Sequence, residues 1–275
     1  MNRNTGGCAA LLAVIMAISV TAGCRSGDPA KDGVLTVATS PDFPPYESID
    51  DNGSYVGFDI DMAYAIGEVM GLKVEIVPTE FDGIMTAVST GKADIGMSGL
   101  SVTEERKNSV DFTMNIANEA QVVIVRRGSP IKTPADLAGK RVGSQNGTTG
   151  LDLARYDEAT IAGSNYKDTM GRPAEGVGYD DCILAAEQVV AGTLDAVIYD
   201  YSPCKEIVAQ HPDDLVILTD ADGKAIDLYT FYNAYICKKG NGFAGKVNGA
   251  IKELKDSGKM AALFAKYPTI MPADR

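Results

Sequence analysis

One short sequence pattern occurs twice in the chain, and it constrains the fold more than any other feature. Residues 87–96 (AVSTGKADIG) have the pattern of a helix end, a glycine, an aspartate and a strand, and residues 189–197 (VVAGTLDAV) repeat this order. A glycine directly after a helix commonly adopts the left-handed conformation that ends it. The repeat predicts two similar α/β lobes rather than one continuous sheet. The alternative is that the two segments match by chance, because a helix–glycine–aspartate–strand connection is common.

Two extended segments predict how the lobes are joined. Residues 119–126 are rich in valine, and residues 229–238 form a second extended stretch. If the first segment leaves lobe one and the second returns to it, lobe one comprises residues 34–119 and 234–275, and lobe two comprises residues 120–233. Each lobe is then an α/β unit with a mixed sheet flanked by helices. The two crossing strands form a hinge, and the cleft between the lobes is the natural ligand site.

The amino-terminal segment has the pattern of an export signal. A short polar start precedes the apolar residues 8–20, and small residues follow up to Cys24. The apolar run is shorter than the roughly 20 residues that an ordinary spanning helix needs. Residues 20–24 (VTAGC) resemble the lipobox of bacterial lipoproteins, which implies lipidation of Cys24. Residues 1–23 are then a signal peptide and residues 24–33 a lipid-anchored tether; cleavage without lipidation is the alternative.

The charge balance and the counts of histidine and cysteine exclude several function classes. With 37 acidic and 25 basic residues, the chain has a formal net charge of -12 and would repel nucleic-acid phosphates. His211 is the single histidine, which argues against most zinc sites and against a Ser–His–Asp triad. After Cys24 the chain contains Cys182, Cys204 and Cys237, so at most one internal disulfide can form. A Cys182–Cys204 disulfide and three buried thiols are both compatible with the sequence.

A polar segment at residues 98–106 (SGLSVTEER) lies where a strand ends and a short helix begins. Helix N-termini expose main-chain N–H groups, and Arg106 adds a guanidinium that can bind a carboxylate through two parallel hydrogen bonds. The segment therefore predicts a carboxylate site. The alternative is an ion pair of Arg106 with Glu104 or Glu105 on a solvated helix.

The second lobe offers a polar loop and an aspartate. Residues 143–150 (GSQNGTTG) open a helix but match neither a Walker loop nor Gly-x-Gly-x-x-Gly, so nucleotide binding is unsupported. An ordinary capped turn is the alternative for this loop. Asp200 follows the predicted strand 196–199, at the carboxyl end where open α/β sheets place ligands, and it can accept from an ammonium group. It could also cap the following helix.

Aromatic side chains in the loops after the first two strands are candidate cleft walls. They are Phe43, Tyr46 and Phe81, and each could instead belong to the core. Asp42 precedes two prolines in a rigid loop, which places a carboxylate beside this wall.

The combined motifs resemble the extracellular solute-binding proteins of polar amino-acid ABC importers (family 3), over about residues 34–267. The resemblance implies a type II, two-lobe periplasmic-binding-protein (Venus-flytrap) fold without catalysis, cofactor or metal. The matching segments are LTVAT at 35–39, PPY at 44–46, GFDIDMA at 57–63, FDGI at 81–84, ADI at 93–95, SVTEER at 101–106, VDF at 110–112, LAGKRVG at 137–143, GTT at 147–149, DAV at 195–197 and KVNGAI at 246–251.

The resemblance also implies a set of ligand-binding residues. Arg106 would bind the α-carboxylate of an amino acid, with help from main-chain N–H groups near Ser101 and Thr149. The α-ammonium would lie between Asp200, the Ser101 hydroxyl and the Gly99 carbonyl. The complete implied set is Asp42, Tyr46, Phe81, Ser98, Gly99, Ser101, Arg106, Gln145, Thr148, Thr149 and Asp200.

Side-chain specificity does not follow from the resemblance alone. Tyr46 and Phe81 would flank the ligand side chain. Gln145 stands where relatives often have lysine, and Tyr199 stands where some have histidine.

A charge count favours a ligand with a basic or neutral polar side chain. Arg106 and Asp200 neutralise the two ends of an amino acid, so Asp42 and Glu119 remain as additional negative charge. A dicarboxylic ligand would bring an unpaired like charge into the cleft. We expect the protein to act as a monomer, anchored by lipid to the outer face of the cell membrane, and to deliver its ligand to the transmembrane subunits of an ABC permease by hinge closure.

Two other function classes are compatible with a similar fold. The first is a periplasmic enzyme similar to cyclohexadienyl dehydratase, for which Glu119 or Asp42 would be the general acid or base. The second is a sensory module, which we do not expect because no signalling segment follows lobe two in the sequence.

Overall fold

The structure is a computed structural model that describes Ala30 and residues 32–274. The predicted signal peptide, Cys24 and most of the predicted tether lie outside the described residues. No helix within residues 32–274 combines the length and the apolar character that a bilayer crossing requires.

Strands and helices alternate through most of this region. The described strands are β1 (Val34–Thr39), β2 (Asp42–Phe43), β3 (Glu47–Ile49), β4 (Tyr55–Val56), β5 (Lys73–Pro78), β6 (Ile95–Gly96), β7 (Val110–Phe112), β8 (Ala117–Arg126), β9 (Arg141–Gln145), β10 (Glu175–Tyr179), β11 (Ala196–Asp200), β12 (Leu215–Ile217), β13 (Tyr229–Asn233), β14 (Ile236–Lys238) and β15 (Met271–Pro272). The described helices are α1 (Phe58–Met70), α2 (Ile84–Thr90), α3 (Glu104–Lys107), α4 (Thr149–Ala154), α5 (Glu158–Gly163), α6 (Cys182–Ala191), α7 (Tyr201–Gln210), α8 (Phe243–Asp256) and α9 (Lys259–Lys266).

The first lobe is built on a sheet with the strand order β5–β1–β6–β14–β7. β5, β1 and β6 are parallel, whereas β14 runs antiparallel to both of its neighbours. Phe58, Met62 and Ile66 recur at helical spacing on α1 and are fully buried. This apolar stripe holds the helix in the hydrophobic core of the lobe.

The second lobe is built on a sheet with the order β10–β9–β11–β8–β12. β10, β9 and β11 are parallel, and β8 is antiparallel to both β11 and β12. Val122, Val123 and Ile124 of β8 are all fully buried. A strand covered on both faces has a continuous apolar sequence, which explains the run of valines.

The repeated sequence pattern corresponds to repeated structure. α2 ends at Gly91 with a φ of 77°, and α6 ends at Gly192 with a φ of 79°. Each glycine leads, through an aspartate, into a strand of its own sheet, β6 or β11. The predicted two-lobe α/β fold is therefore confirmed.

The aspartate of each repeat ties its strand to the neighbouring parallel strand. Asp94 Oδ2 accepts a hydrogen bond from the Thr36 N–H at 2.9 Å, and Asp195 Oδ2 accepts one from the Arg141 N–H at 2.8 Å. In both lobes the aspartate N–H donates in return to the carbonyl of the same strand residue. The recurrence of aspartate thus corresponds to the same pair of main-chain hydrogen bonds in each lobe. In lobe one the Thr36 N–H is buried, so it needs this acceptor.

β8 and β13 are the extended segments at the junction of the lobes. They pair antiparallel, from Gln121 opposite Tyr229 to Ala117 opposite Asn233. Beyond β13 the chain enters β14 of the first sheet, so residues 229–238 form two strands in different sheets rather than one continuous strand. The carboxyl-terminal strand β15 also pairs with the start of β8.

The three cysteines within the described residues are free, buried thiols. Burial raises the pKa of Cys237 to about 12 and raises those of Cys182 and Cys204 well above their ordinary value. The structure therefore corresponds to the thiol alternative rather than to a Cys182–Cys204 disulfide.

We predict that Asp94→Ala lowers the free energy of unfolding by about 1–3 kcal/mol, because the buried Thr36 N–H loses its carboxylate acceptor. The matched variant Asp195→Ala is expected to cost less, since the Arg141 N–H lies at an exposed position that water can reach. Urea unfolding of both variants measures the difference. Equal losses in the two variants would contradict this explanation of the repeat.

Candidate functional site

Arg106 lies between the two lobes. Its main-chain N–H donates to the hydroxyl of the N-cap residue Thr103 at 3.1 Å, which fixes the start of α3 beside the cleft. The side chain donates to the Ser101 carbonyl of its own lobe at 2.9 Å and to the Gly147 carbonyl of lobe two at 2.8 Å. The guanidinium also lies 5.7 Å from the centroid of the Phe81 ring, within the range of a cation–π interaction.

Arg106 is buried without a carboxylate partner. Glu104 pairs with Lys107 at 2.7 Å instead, and the guanidinium of Arg106 forms no ion pair with any described residue. Burial lowers the pKa of Arg106, while the more distant carboxylates of Asp152 and Asp200 act in the opposite direction. Carbonyl oxygens are weaker acceptors for a guanidinium than a carboxylate is. The geometry therefore favours the carboxylate-binding interpretation over a solvated ion pair.

Asp200 is the corresponding buried carboxyl group of lobe two. It occupies the N-cap position of α7, but its side chain makes no capping hydrogen bond. Its Oδ1 accepts from Gln121 Nε2 at 2.7 Å. Burial raises the pKa of Asp200 well above its ordinary value, and the neighbouring Glu119 raises it further. A ligand ammonium beside this carboxyl group would favour its ionised form.

The loop between β9 and α4 divides into a structural part and a part that faces lobe one. Thr148 caps α4 and donates to the Gln145 carbonyl at 2.7 Å, so its hydroxyl serves its own loop. Thr149 Oγ1 lies 3.4 Å from Ser101 Oγ across the cleft. Gln145 Nε2 donates to Asp42 Oδ2 of lobe one at 2.7 Å. The capped-turn alternative thus holds for Thr148, whereas the Thr149 and Gln145 side chains reach the other lobe.

Buried carboxyl groups of lobe one accept hydrogen bonds from the Ser98–Gly99 segment. Ser98 Oγ donates to Glu47 Oε1 at 2.7 Å, and the Gly99 N–H donates to Asp59 Oδ2 at 3.0 Å. Asp59 Oδ1 accepts from the Tyr235 hydroxyl at 3.0 Å. Burial raises the pKa of Asp59 to about 6 and that of Glu47 well above its ordinary value. The Ser98 hydroxyl therefore supports the segment, and its role in ligand contact stays a prediction.

The predicted aromatic walls lie in different surroundings. Tyr46 is only 1% exposed, and its ring centroid lies 6.1 Å from that of Phe43 and 6.2 Å from that of Phe58. Its hydroxyl donates to Glu119 Oε1 at 2.8 Å. Tyr46 is thus part of the lobe-one core at the hinge, whereas Phe81 faces the guanidinium at the cleft.

Glu119 joins both lobes at the hinge. Its Oε1 accepts from the hydroxyls of Tyr46 and Ser202, and its Oε2 accepts from the Ser202 N–H at 3.4 Å. Burial raises the pKa of Glu119 to about 7, although these hydrogen bonds act to lower it. Both carboxyl oxygens are thus occupied by protein donors, which does not suit a general acid that must reach a substrate.

Gln121 and Asn233 are buried polar residues of the cleft that the sequence analysis missed. Gln121 Nε2 donates to both Asp200 Oδ1 and Thr149 Oγ1. Asn233 is 3% exposed, and its amide acts on Asp200 by lowering the pKa of that carboxyl group. Glu119 and Gln121 are two residues apart on β8 and therefore project to one face. The spacing of Glu119 and Gln121 just before the apolar run Val122–Val125 was the available signal.

A cavity of about 460 Å³ lies between the lobes beside Asp42, and we call it the acidic cavity. Half of its lining residues are acidic and none is basic. Burial raises the pKa of Asp42 to about 6, and the nearby Asp181 contributes in the same direction. The lining residues are Ser40, Pro41, Asp42, Pro78, Thr79, Glu80, Asp180 and Asp181.

One group of potential metal ligands occurs within the described residues. The donor atoms of Asp42, Asp181 and Cys182 lie within 4.8 Å of one another. Asp181 Oδ1 already accepts two main-chain N–H bonds at the start of α6, and the Cys182 thiol donates to the Asp42 carbonyl at 2.9 Å. Burial raises the pKa of this thiol, so it is not the thiolate that metal binding needs. The group fits a hydrogen-bonded contact between the lobes better than an ion site.

The sequence model of the bacterial extracellular solute-binding proteins, family 3, matches residues 35–269. The chain belongs to this family. It is 31% identical to an L-arginine-binding protein of Pseudomonas aeruginosa, over 86% of this chain and 89% of the relative. It is 28% identical to a probable histidine-binding protein of Neisseria gonorrhoeae, over 97% and 96% of the two chains.

Solved structures agree with this assignment. The arginine-, lysine-, histidine-binding protein ArtJ from Geobacillus stearothermophilus superimposes with a TM-score of 0.73 at 29% identity, over 85% of this chain and 94% of that chain. The predicted type II fold and the predicted family are confirmed. This member of the solute-binding family is a binding protein, not an enzyme.

We predict that Gly150→Ala disrupts the site, because a Cβ at this position would lie 2.5 Å from the Ile198 carbonyl oxygen and 2.7 Å from Ser144 Oγ. The main chain of α4 must then shift, at a cost of about 1–3 kcal/mol. The matched variant is Gly249→Ala on α8, where a Cβ meets nothing within 4 Å. This control is expected to stabilise the protein by about 0.4–1 kcal/mol. Thermal unfolding distinguishes the two, and equal stability of both variants would contradict the close approach at Gly150.

Proposed function

We propose that this protein binds one amino acid with a basic side chain, with arginine favoured, in the cleft between its lobes and delivers it to an ABC permease. One observation carries the proposal. Arg106 from lobe one and Asp200 from lobe two are both buried at the cleft, and neither forms an ion pair with a described residue. A buried guanidinium and a buried carboxyl group without ion-pair partners match the α-carboxylate and α-ammonium of an amino acid.

The carboxylate end of the ligand binds Arg106. A carboxylate accepts hydrogen bonds from guanidinium N–H groups of Arg106, and it accepts further bonds at Ser101 and Thr149. The ammonium end binds Asp200, together with the Gly99 carbonyl. Each charge-assisted bond contributes about 1.5–3 kcal/mol, so the two ends together support micromolar binding after ordering losses.

The side chain of the ligand extends toward the acidic cavity. Asp42 and Asp181 bring like charge together there as the lobes close, which costs free energy. A guanidinium or ammonium in the cavity removes this repulsion, whereas a ligand carboxylate adds to it. This charge pattern supports a basic ligand over a neutral polar one. The relatives named for arginine, lysine or histidine agree with this choice.

Closure of the cleft is the step that the permease recognises. Contacts across the cleft already join the lobes, among them those from Arg106 to the Gly147 carbonyl, from Ser101 to Thr149, from Gln145 to Asp42 and from Cys182 to the Asp42 carbonyl. A ligand held by Arg106 on one side and by Asp200 on the other adds bonds that exist only in the closed form. It therefore shifts the population toward closure.

We also propose how the chain is divided into lobes and where the protein is located. Lobe one comprises residues 34–119 and 234–275, and lobe two comprises residues 120–233. Residues 1–23 act as a signal peptide, and Cys24 carries the lipid that anchors a monomeric binding protein outside the cell. The partners are the transmembrane subunits of the permease.

Isothermal titration of the mature protein against the twenty amino acids tests the proposal. We expect heat with arginine and lysine and a loss of affinity of at least about 100-fold in Arg106→Ala, because the ligand carboxylate is then buried without a cation. The matched control is Arg172→Ala, an exposed arginine of lobe two that contacts the Tyr156 ring, and it should bind normally. Unchanged binding by Arg106→Ala would overturn the carboxylate assignment.

A second titration tests the side-chain preference. Asp42→Asn removes a negative charge from the acidic cavity and should weaken arginine binding by about tenfold or more, while glutamine binding changes little. Asp256→Asn on the exposed face of α8 serves as the control. Equal effects on the two ligands would remove the charge-based preference and favour a neutral polar ligand.

A further inference from the structure

Gln121 connects two groups that, under the proposed function, contact opposite ends of the ligand. Its Nε2 donates to Thr149 Oγ1 at 2.9 Å and to Asp200 Oδ1 at 2.7 Å. A primary amide nitrogen carries two hydrogens, so both bonds can exist at once. Gln121 is 1% exposed, which excludes water as a ready substitute for either bond.

The surroundings fix the orientation of the Gln121 amide. An ionised Asp200 carboxylate can only accept hydrogen bonds, so the amide must turn its nitrogen toward it. The amide oxygen then faces the α-carbon of Gly150, where a Cβ would lie 2.9 Å from it. No described residue donates a hydrogen bond to this oxygen. The nitrogen bonds therefore determine where the side chain lies.

The location of Gln121 makes these bonds independent of closure. Gln121 lies directly opposite Asp200 in the antiparallel pair of β8 and β11, and Thr149 begins α4 of the same lobe. Both bonds thus lie within lobe two. The Thr149 hydroxyl loses its cross-cleft neighbour Ser101 when the lobes separate, and Gln121 then remains as its hydrogen-bond donor.

We propose that Gln121 is a positioning residue that sets the separation of the carboxylate-binding Thr149 and the ammonium-binding Asp200 before the cleft closes. This inference rests on the proposed amino-acid binding. Pre-positioned groups lose less rotational freedom on binding, so the ligand meets them at lower entropic cost. Gln121 itself needs no contact with the ligand.

The pH dependence of ligand binding depends on the ionisation of Asp200. Several titratable or charged groups lie around Asp200, namely Glu119 on β8, Arg106 on α3, Cys204 on α7 and the Tyr46 hydroxyl. Arg106 and the amides of Gln121 and Asn233 lower the pKa of Asp200, in opposition to burial and Glu119. Ammonium binding needs the ionised form, so affinity falls as the pH drops through the pKa of the unliganded protein. Loss of the Gln121 bond moves this fall to higher pH.

The experiment measures ligand affinity against pH in Gln121→Met, a variant of similar size that cannot donate. We expect an affinity about 10- to 100-fold lower at neutral pH, as for the loss of two hydrogen bonds, and a fall of affinity that begins at higher pH than in the wild type. Gln188→Met is the control, because the Gln188 side chain accepts a hydrogen bond from the Thr193 hydroxyl just beyond the end of α6. It should change neither the affinity nor its pH dependence.

Two further variants separate positioning from a general loss of structure. Gln121→Glu keeps the side-chain shape but places a second carboxyl group beside Asp200. The fall of affinity should therefore move to higher pH by more than in Gln121→Met. Gln121→Glu replaces Gln121→Met as the test if circular dichroism shows that Gln121→Met is unfolded. In the Asp200→Asn background, Gln121→Met should produce no additional pH shift, because the titrating group is absent.

The titrations separate the proposed amino-acid binding from the positioning role of Gln121. A wild-type protein that binds no amino acid would overturn the proposed function and this inference together. Amino-acid binding that depends on Arg106 but is unaffected in affinity and pH profile by folded Gln121 variants would overturn only the inference. A lower affinity with an unchanged pH profile would also overturn it, since Gln121 would then not act through Asp200.

Discussion

The structure depends on the burial of a guanidinium and a carboxyl group that do not pair with each other. Arg106 is held by carbonyl oxygens from both lobes, and Asp200 is held by the amide of Gln121. A buried ion without a counterion is costly, and the cost falls when an external group of opposite charge arrives. An amino acid carries both required charges at a short fixed distance. The two charged ends of one amino acid can therefore pair with Arg106 and Asp200 at the same time.

The fold supplies the positions of these charges from two different sheets. In each lobe a helix ends at a left-handed glycine, and an aspartate then ties the next strand to its neighbour. This arrangement sets the carboxyl ends of the strands, from which the loops of the site project. β8 belongs to the second sheet and starts at the junction, where it carries Glu119 and Gln121 side by side on one face. The hinge strand thus contributes polar side chains to the site as well as the connection between lobes.

Much of this arrangement could be predicted from the sequence, because its signals are local. The glycine caps, the repeated aspartate and the strand ends before Arg106 and Asp200 each follow from a few neighbouring residues. The finer roles depend on which way a side chain points. Ser98 and Thr148 turn toward their own lobes, and Tyr46 packs in the core, which no spacing rule distinguishes from a cleft-facing position. The roles of Gln121 and Asn233 were not predicted, because they depend on which strands pair at the junction of the lobes, and that pairing joins residues far apart in the sequence.

The most direct measurement is a crystal structure of the protein grown with L-arginine. The account predicts one arginine between the lobes, with its α-carboxylate on the Arg106 guanidinium, its α-ammonium on Asp200 and its side chain directed to Asp42. A ligand bound in the opposite direction, or bound without contact to both Arg106 and Asp200, would contradict the central claim.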